Sequence, residues 1–320
     1  NLETALWLES DRMLSLAFSE QSLEVQRNVV VEEFKQSYLN QPYGDVWLLL
    51  RPLAYKVHPY LWDTIGKDIS HIRNATMDDV RNFYRRFYHP ANAIITLAGD
   101  LDAGAVTGLL NKWFGSISAG NGHERQLPVE PVQEEARTFS VVRDVPFDAL
   151  YKVYHMCGRK DKDYPAADLL SDILSNGTSS RLYRRLVKEK KLFSELNAFI
   201  TGDMDPGLFV FMGKLVKGVG MEDAEKSLLE EIEQMKTQPP LEEELEKVKN
   251  KIESTLEFSE MNVLNKAMNL AYYELLGDAG LLNGEAARYR AVTGNQVRDA
   301  AAGILREENC STLYYHAKKT

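Results

Sequence analysis

The spacing of apolar and polar positions changes character partway along the chain. Before residue 118 the apolar side chains recur every three or four residues, predicting helices over 2–15, 21–39, 43–54, 77–88 and 103–114. Thr76 is placed to cap the helix over 77–88, and His89-Pro90 ends it. A short β run, 93–98, is the only strand pattern in this half. Residues 118–135 are rich in Gly, Pro and Glu and read as a linker. Beyond them the period shortens to two over 137–143, 150–155, 195–201, 208–215 and 310–316, predicting five strands. Between these lie helical patterns at 165–174, 179–190, 221–236 and 241–258, the last entered through Pro239-Pro240, with further helical segments to 306.

The order of elements repeats. Thr76, Val80 and Arg81 are matched by Thr293, Val297 and Arg298 at an offset of 217 residues, and Asn92-Ala93 is matched by Asn309-Cys310. At an offset of 222, Leu23-Glu24, Asn28 and Val30 meet Leu245-Glu246, Asn250 and Ile252. Both sets fall in order and in matching elements, which predicts a duplicated α+β fold: two related domains, each a mostly antiparallel sheet with helices on one face. The expected division is 1–117 for the first domain, 118–135 for the linker and 136–320 for the second. The first copy is shorter than the second by roughly 80 residues ahead of its Thr anchor, so the first domain is expected to be truncated at its N-terminus.

Composition narrows the function classes. With 320 residues and 44% apolar side chains the chain can bury sizeable cores, and a net charge of −9 argues against a nucleic-acid partner. The basic run 181–191 has helical spacing and reads as a solvated face. No apolar run is long enough to span a membrane. Cys157 and Cys310 lie in strand-like segments and read as free thiols. His58 and His89 sit beside prolines, His71 and His123 in loop or linker, and His155 and His316 in strands, so no pair has the spacing of a helical zinc clamp.

One carboxylate stands out on the helix over 21–39. Within Gln26-Arg27-Asn28-Val29-Val30-Val31-Glu32-Glu33, a helical wheel places Glu33 on the face of Leu23, Val29 and Val30, and Glu32 nearly opposite. An inward carboxylate must be paired, neutralised or metal-bound. The plainer alternative is a Glu at the edge of the apolar face, paired with an Arg.

At this point the chain resembles a known family. The runs Leu8-Glu9-Ser10-Asp11-Arg12-Met13, Gln26 to Glu33, Gln41-Pro42-Tyr43-Gly44 and His58-Pro59-Tyr60 are similar to the pitrilysin, insulinase and mitochondrial processing peptidase family of zinc peptidases. Gly177-Thr178-Ser179-Ser180-Arg181-Leu182-Tyr183 and Asp205-Pro206-Gly207-Leu208-Phe209 resemble that family's inactive second domain. The resemblance implies a two-domain clamp that hydrolyses peptides with zinc, using a His-x-x-Glu-His motif for two ligands and the general base, and a later Glu as third ligand. Matching motifs puts that later Glu on Glu33 and its supporting neighbour on Gln26. The His-x-x-Glu-His motif is absent, so the expectation is a chain without the base, without tight zinc and without activity of its own. The family's Arg and Tyr pair falls here on Val187 and Ser194, so that substrate contact is absent or replaced; Arg181 and Tyr183 are the candidate substrate contacts. Implied partners are a peptide or unfolded polypeptide, and either a homodimer mate or a related subunit. A soluble bacterial protein of cytoplasm or periplasm is implied. The alternative function is a non-catalytic peptide-binding or regulatory subunit of the same family.

Overall fold

The computed structural model describes residues 1–122 and 125–318; His123 lies outside them. The backbone sorts into two compact units that interleave along the chain. Unit 1 takes Asn1–Ser37, Thr64–Leu127 and Phe258–Leu282, and unit 2 takes Tyr38–Asp63, Pro128–Glu257 and Asn283–Thr320. The two displaced segments, around 38–63 and 258–282, are near-equivalents at the 222-residue offset.

Unit 1 is helical. Its helices are α1 (Leu2–Leu14), α2 (Glu20–Phe34), then, after a helix of unit 2 called α3 (Val46–Ala54), α4 (Ile69–Asn74), α5 (Met77–Phe87) and α6 (Ala103–Phe114). Ser19 opens α2 with a capping box in which its hydroxyl accepts the Ser22 N–H, and Thr76 opens α5 in the same way with Asp79. The strand expected at 93–98 does not form. The segment runs without strand pairing among the described residues, and Ile94 and Ile95 are exposed. A β pattern can form a strand only where a neighbour accepts its N–H and C=O groups, and unit 1 has no strand among the described residues. The expected first sheet is accordingly not seen among them either.

Unit 2 is built on one five-stranded sheet: β1 (Arg137–Arg143), β2 (Ala149–His155), β3 (Phe193–Ile200), β4 (Leu208–Leu215) and β5 (Cys310–Ala317), in the order β1-β5-β2-β4-β3. Every pairing is antiparallel except β1 with β5. The chain is thus α+β, as the alternation predicts. Between the strands run α7 (Tyr164–Ser175), α8 (Met221–Thr237), α9 (Glu242–Ser259), α11 (Glu285–Arg290) and α12 (Gly294–Ile304); α10 (Val263–Leu276) belongs to unit 1.

The central strand β2 shows how the sheet is packed. Leu150 and Tyr154 point to one face, into the core with Leu170 and Ile173 of α7, Leu228 of α8 and Val297 of α12. Ala149, Tyr151 and Val153 point to the other face, against Val46, Leu50, Ala54 and Tyr55. Helices therefore cover both faces rather than the one expected. The reason is visible in the sequence of α3: Val46, Leu50 and Ala54 form a stripe at four-residue spacing, and all three are buried. Burying Leu50 alone is worth roughly 2 kcal/mol, and Leu50→Asp would strip the helix from the sheet.

Two helical expectations end differently. The pattern over 21–39 gives α2 and then one π-helical turn, Lys35–Leu39. The pattern over 179–190 gives a π-helical stretch, Tyr183–Glu189, followed by Lys191 with φ of 53°. Tyr43 also takes a left-handed conformation, with φ of 63°, so α3 starts only at Val46. Periodicity cannot distinguish these widened turns from α-helix, because both place apolar groups every three to four residues.

Candidate functional site

On α2 the buried residues are Leu23, Val31 and Phe34. Val29 is 54% exposed, and Glu33 and Gln26 are exposed on the same side of the helix. The inward orientation expected of Glu33 is therefore not found. The helical wheel counted Val29 as core, whereas Phe34 and Val31 set the centre of the buried face about a quarter-turn away. Glu33 has no hydrogen bond or ion pair among the described residues, while Glu32 pairs with Lys35 at 2.5 Å. The helix itself is firmly placed within unit 1. Arg27 donates to the carbonyl oxygen of Ala75 through Nε (3.0 Å) and Nη2 (2.7 Å), tying α2 to the residue before the α5 cap.

Arg181 forms a two-bonded ion pair with Glu244, Nε to Oε1 at 2.9 Å and Nη2 to Oε2 at 2.6 Å. Burial works to raise the Glu244 carboxyl, and hydrogen bonds from Arg181 and the Leu241 N–H outweigh it, holding it below the ordinary range. Tyr183 is half-buried at the start of the π-helical stretch. Cys157 and Cys310 are free thiols, and burial with the nearby Asp161 and Asp163 pushes Cys157 up to about 11.

Zinc requires three protein ligands converging on one point. Among the described residues no group of three His, Cys, Asp or Glu side chains is arranged to hold a metal ion. The described residues do not fit a zinc site by themselves, and no catalytic step through the metal follows from them.

Two other features escaped sequence reasoning. Unit 1 contains an apolar cavity of about 610 Å³, lined by Met13, Phe87, Ile94, Ile95, Leu110 and Phe114 among others. Unit 2 contains a polar cluster around the end of α3. There His58 Nε2 meets Asp205 Oδ2 at 3.2 Å, and His58 Nδ1 accepts the Tyr60 N–H at 3.2 Å. The Glu130 carboxylate accepts the N–H groups of Lys56, Val57 and His58 at 2.7, 2.9 and 2.9 Å. His155 Nε2 donates to the Ala54 carbonyl at 3.0 Å, and Tyr55 Oη donates to the Pro206 carbonyl at 3.2 Å. The signal for this cluster was present: His58-Pro59-Tyr60 and Asp205-Pro206-Gly207 are both among the runs that carry the family resemblance.

The family described as the peptidase M16 inactive domain matches residues 74–252. The chain belongs to the peptidase M16 family. It is 33% identical over 254 residues to the zinc protease PqqE of Helicobacter pylori, an alignment covering 78% of this chain and 56% of that protein. The chain thus spans little more than half the length of this M16 relative. A crystal structure of a protease from Helicobacter pylori superposes with a TM-score of 0.90 at 28% identity, covering 98% of this chain and 77% of that one. A peptidase M16 inactive domain from Pseudomonas fluorescens shares the fold, with a TM-score of 0.86 at 18% identity, covering 100% of this chain and 76% of the other. Among the described residues no helix is long and apolar enough to cross a membrane.

Proposed function

We propose that this chain is part of a zinc-dependent endopeptidase of the M16 family, to which it contributes Glu33 as one metal ligand and Gln26 beside it. The observation that carries the reading is an exposed carboxylate, without a partner among the described residues, on a helix anchored by Arg27, in a family with relatives named zinc proteases. An exposed, unpaired carboxylate on a fixed helix is available to a metal in a way that a salt-bridged one is not. The remaining ligands and the general base come from outside these 320 residues. The unpaired segment at 93–98 and the apolar cavity beside it support further chain completing unit 1. In the same reading the parts 1–117 and 136–320 are the two related domains of the duplication. The substrate is a peptide or unfolded polypeptide, with Arg181 and Tyr183 as secondary contacts.

A second reading has its own support. A non-catalytic peptide-binding or regulatory subunit fits the match to an inactive domain and the lack of a three-ligand group among the described residues. One experiment separates the two. The full-length gene product is measured for zinc content and for hydrolysis of an unfolded polypeptide, with Glu33→Gln in parallel. Stoichiometric zinc and hydrolysis, both lost in Glu33→Gln, sustain the first reading. Peptide binding without zinc or hydrolysis replaces it with the second.

A further inference from the structure

Residues Tyr38–Asp63 cross one face of the unit 2 sheet as a strap with α3 at its centre. Its start is fixed by Tyr43, whose hydroxyl bonds both the carbonyl and the N–H of Phe147 (2.8 and 3.2 Å), and by Asp45, which receives Tyr315 Oη at 2.6 Å and Arg143 Nε at 2.8 Å. Its end is held by the polar cluster around Tyr55. Here two imidazoles flank one phenol ring: His155 of β2 stands 5.0 Å from the Tyr55 ring centre, and His58 of the strap stands 6.1 Å from it. Both histidines are engaged as hydrogen-bonding groups across the strap–sheet boundary or within the turn that follows it.

We propose that the strap is an acid-released cover, held on the sheet in part by uncharged His155 and loosened when that ring takes up a proton. The geometry gives that proton a specific place. His155 already donates through Nε2 to Ala54, so its added proton goes to Nδ1, on a ring that is largely buried against Tyr55. The charged groups facing this cluster act in both directions. Glu130, Asp203 and Asp205 favour added positive charge, while Arg137, Arg51 and Lys56 oppose it. Arg137 is the most direct opponent, because its Nη1 donates to the Leu53 and Ala54 carbonyls beside the His155 contact (3.1 and 2.5 Å). For His155 burial and Arg137 outweigh Ala54 and Glu130, and the ring is held below its ordinary value.

The sign follows directly. A histidine whose folded value is lowered binds protons more readily once released, so the closed strap loses stability as pH falls through the ordinary histidine range. Release uncovers Tyr151, Val153, Val210 and Leu313, an apolar sheet face.

The test is hydrogen–deuterium exchange of the native chain at about pH 7.5 and about pH 5, corrected for intrinsic exchange, comparing the peptides over 46–57 and α7. The expected result is that strap protection drops about tenfold at the lower pH while α7 is unchanged, and that His155→Gln, which keeps a donor to Ala54, loses most of this difference. Equal strap protection at both pH values overturns the proposal, as does an undiminished difference in His155→Gln. If that variant does not fold, the imidazole C–H resonance of His155 in the native chain must titrate together with strap exchange. A His155 resonance that titrates separately overturns the proposal as well.

Discussion

Asn92 and Asn309 make the same hydrogen bond 217 residues apart. The side-chain amide of each donates to the carbonyl five residues upstream, Phe87 at 2.9 Å and Ile304 at 2.8 Å, closing the turn after α5 and after α12. The capping boxes at Thr76 and Thr293 are related by the same offset. The repeat at this offset is therefore present in backbone-satisfying hydrogen bonds as well as in residue identities.

The two asparagines differ in what surrounds them. Asn309 is 4% exposed and also donates to the His155 carbonyl at 2.8 Å, whereas Asn92 is exposed. Asn309→Ala is expected to cost about 1–3 kcal/mol, because it leaves buried carbonyls unpaired, and Asn92→Ala about 0.5–1 kcal/mol. Urea unfolding curves of the two variants check the ranking.

Glu33→Ala is expected to leave the stability of this chain within about 0.5 kcal/mol of the parent, since the side chain is exposed and has no partner among the described residues. The same substitution in the full-length product is expected to lower zinc content. A thermal melt of the chain and metal analysis of the product measure the two effects separately, and a large loss of stability would show a structural role for Glu33.

Arg181→Met is expected to destabilise unit 2 by about 1–2 kcal/mol, through loss of the paired hydrogen bonds to Glu244. Because the Glu244 carboxyl is held below its ordinary value, the pair stabilises the fold above the unfolded carboxyl range and loses that contribution as pH falls through the lower, folded value. The difference between parent and variant should therefore shrink in acid. Denaturation of both proteins at neutral pH and near pH 3 reads this out.

Unit 1 carries exposed apolar side chains on and before α10: Phe258 at 70%, Met261 at 78%, Leu264 at 66% and Met268 at 61%. Self-association of the isolated chain is expected to rise with concentration and to weaken in a Leu264→Glu, Met268→Glu double variant. Sedimentation velocity of both forms, over about a tenfold range of concentration, decides it.

What could be read from the sequence depended on whether the deciding interaction was local. The α5 cap and the strands of unit 2 were legible, because a Thr three residues before a side-chain acceptor, or a run of alternating residues, carries its own reason. The segment at 93–98 was misread as a strand because pairing depends on a neighbour that the pattern does not contain. Glu33 was placed on the wrong side of α2 for a related reason: six apolar residues cannot say which of them the rest of the fold covers, and Val29 is left outside. The position of α3 on the sheet was hidden entirely, since an apolar stripe announces that a helix has a partner but not which one.

The interleaving of the two units has a consequence for how the chain is made. Unit 2 joins Tyr38–Asp63 to β5, which ends at Ala317, so its sheet cannot be finished until the chain through residue 317 has left the ribosome. No single scission separates one unit from the other with all its parts, and a gene fragment starting at Pro128 would encode a sheet with one apolar side bare.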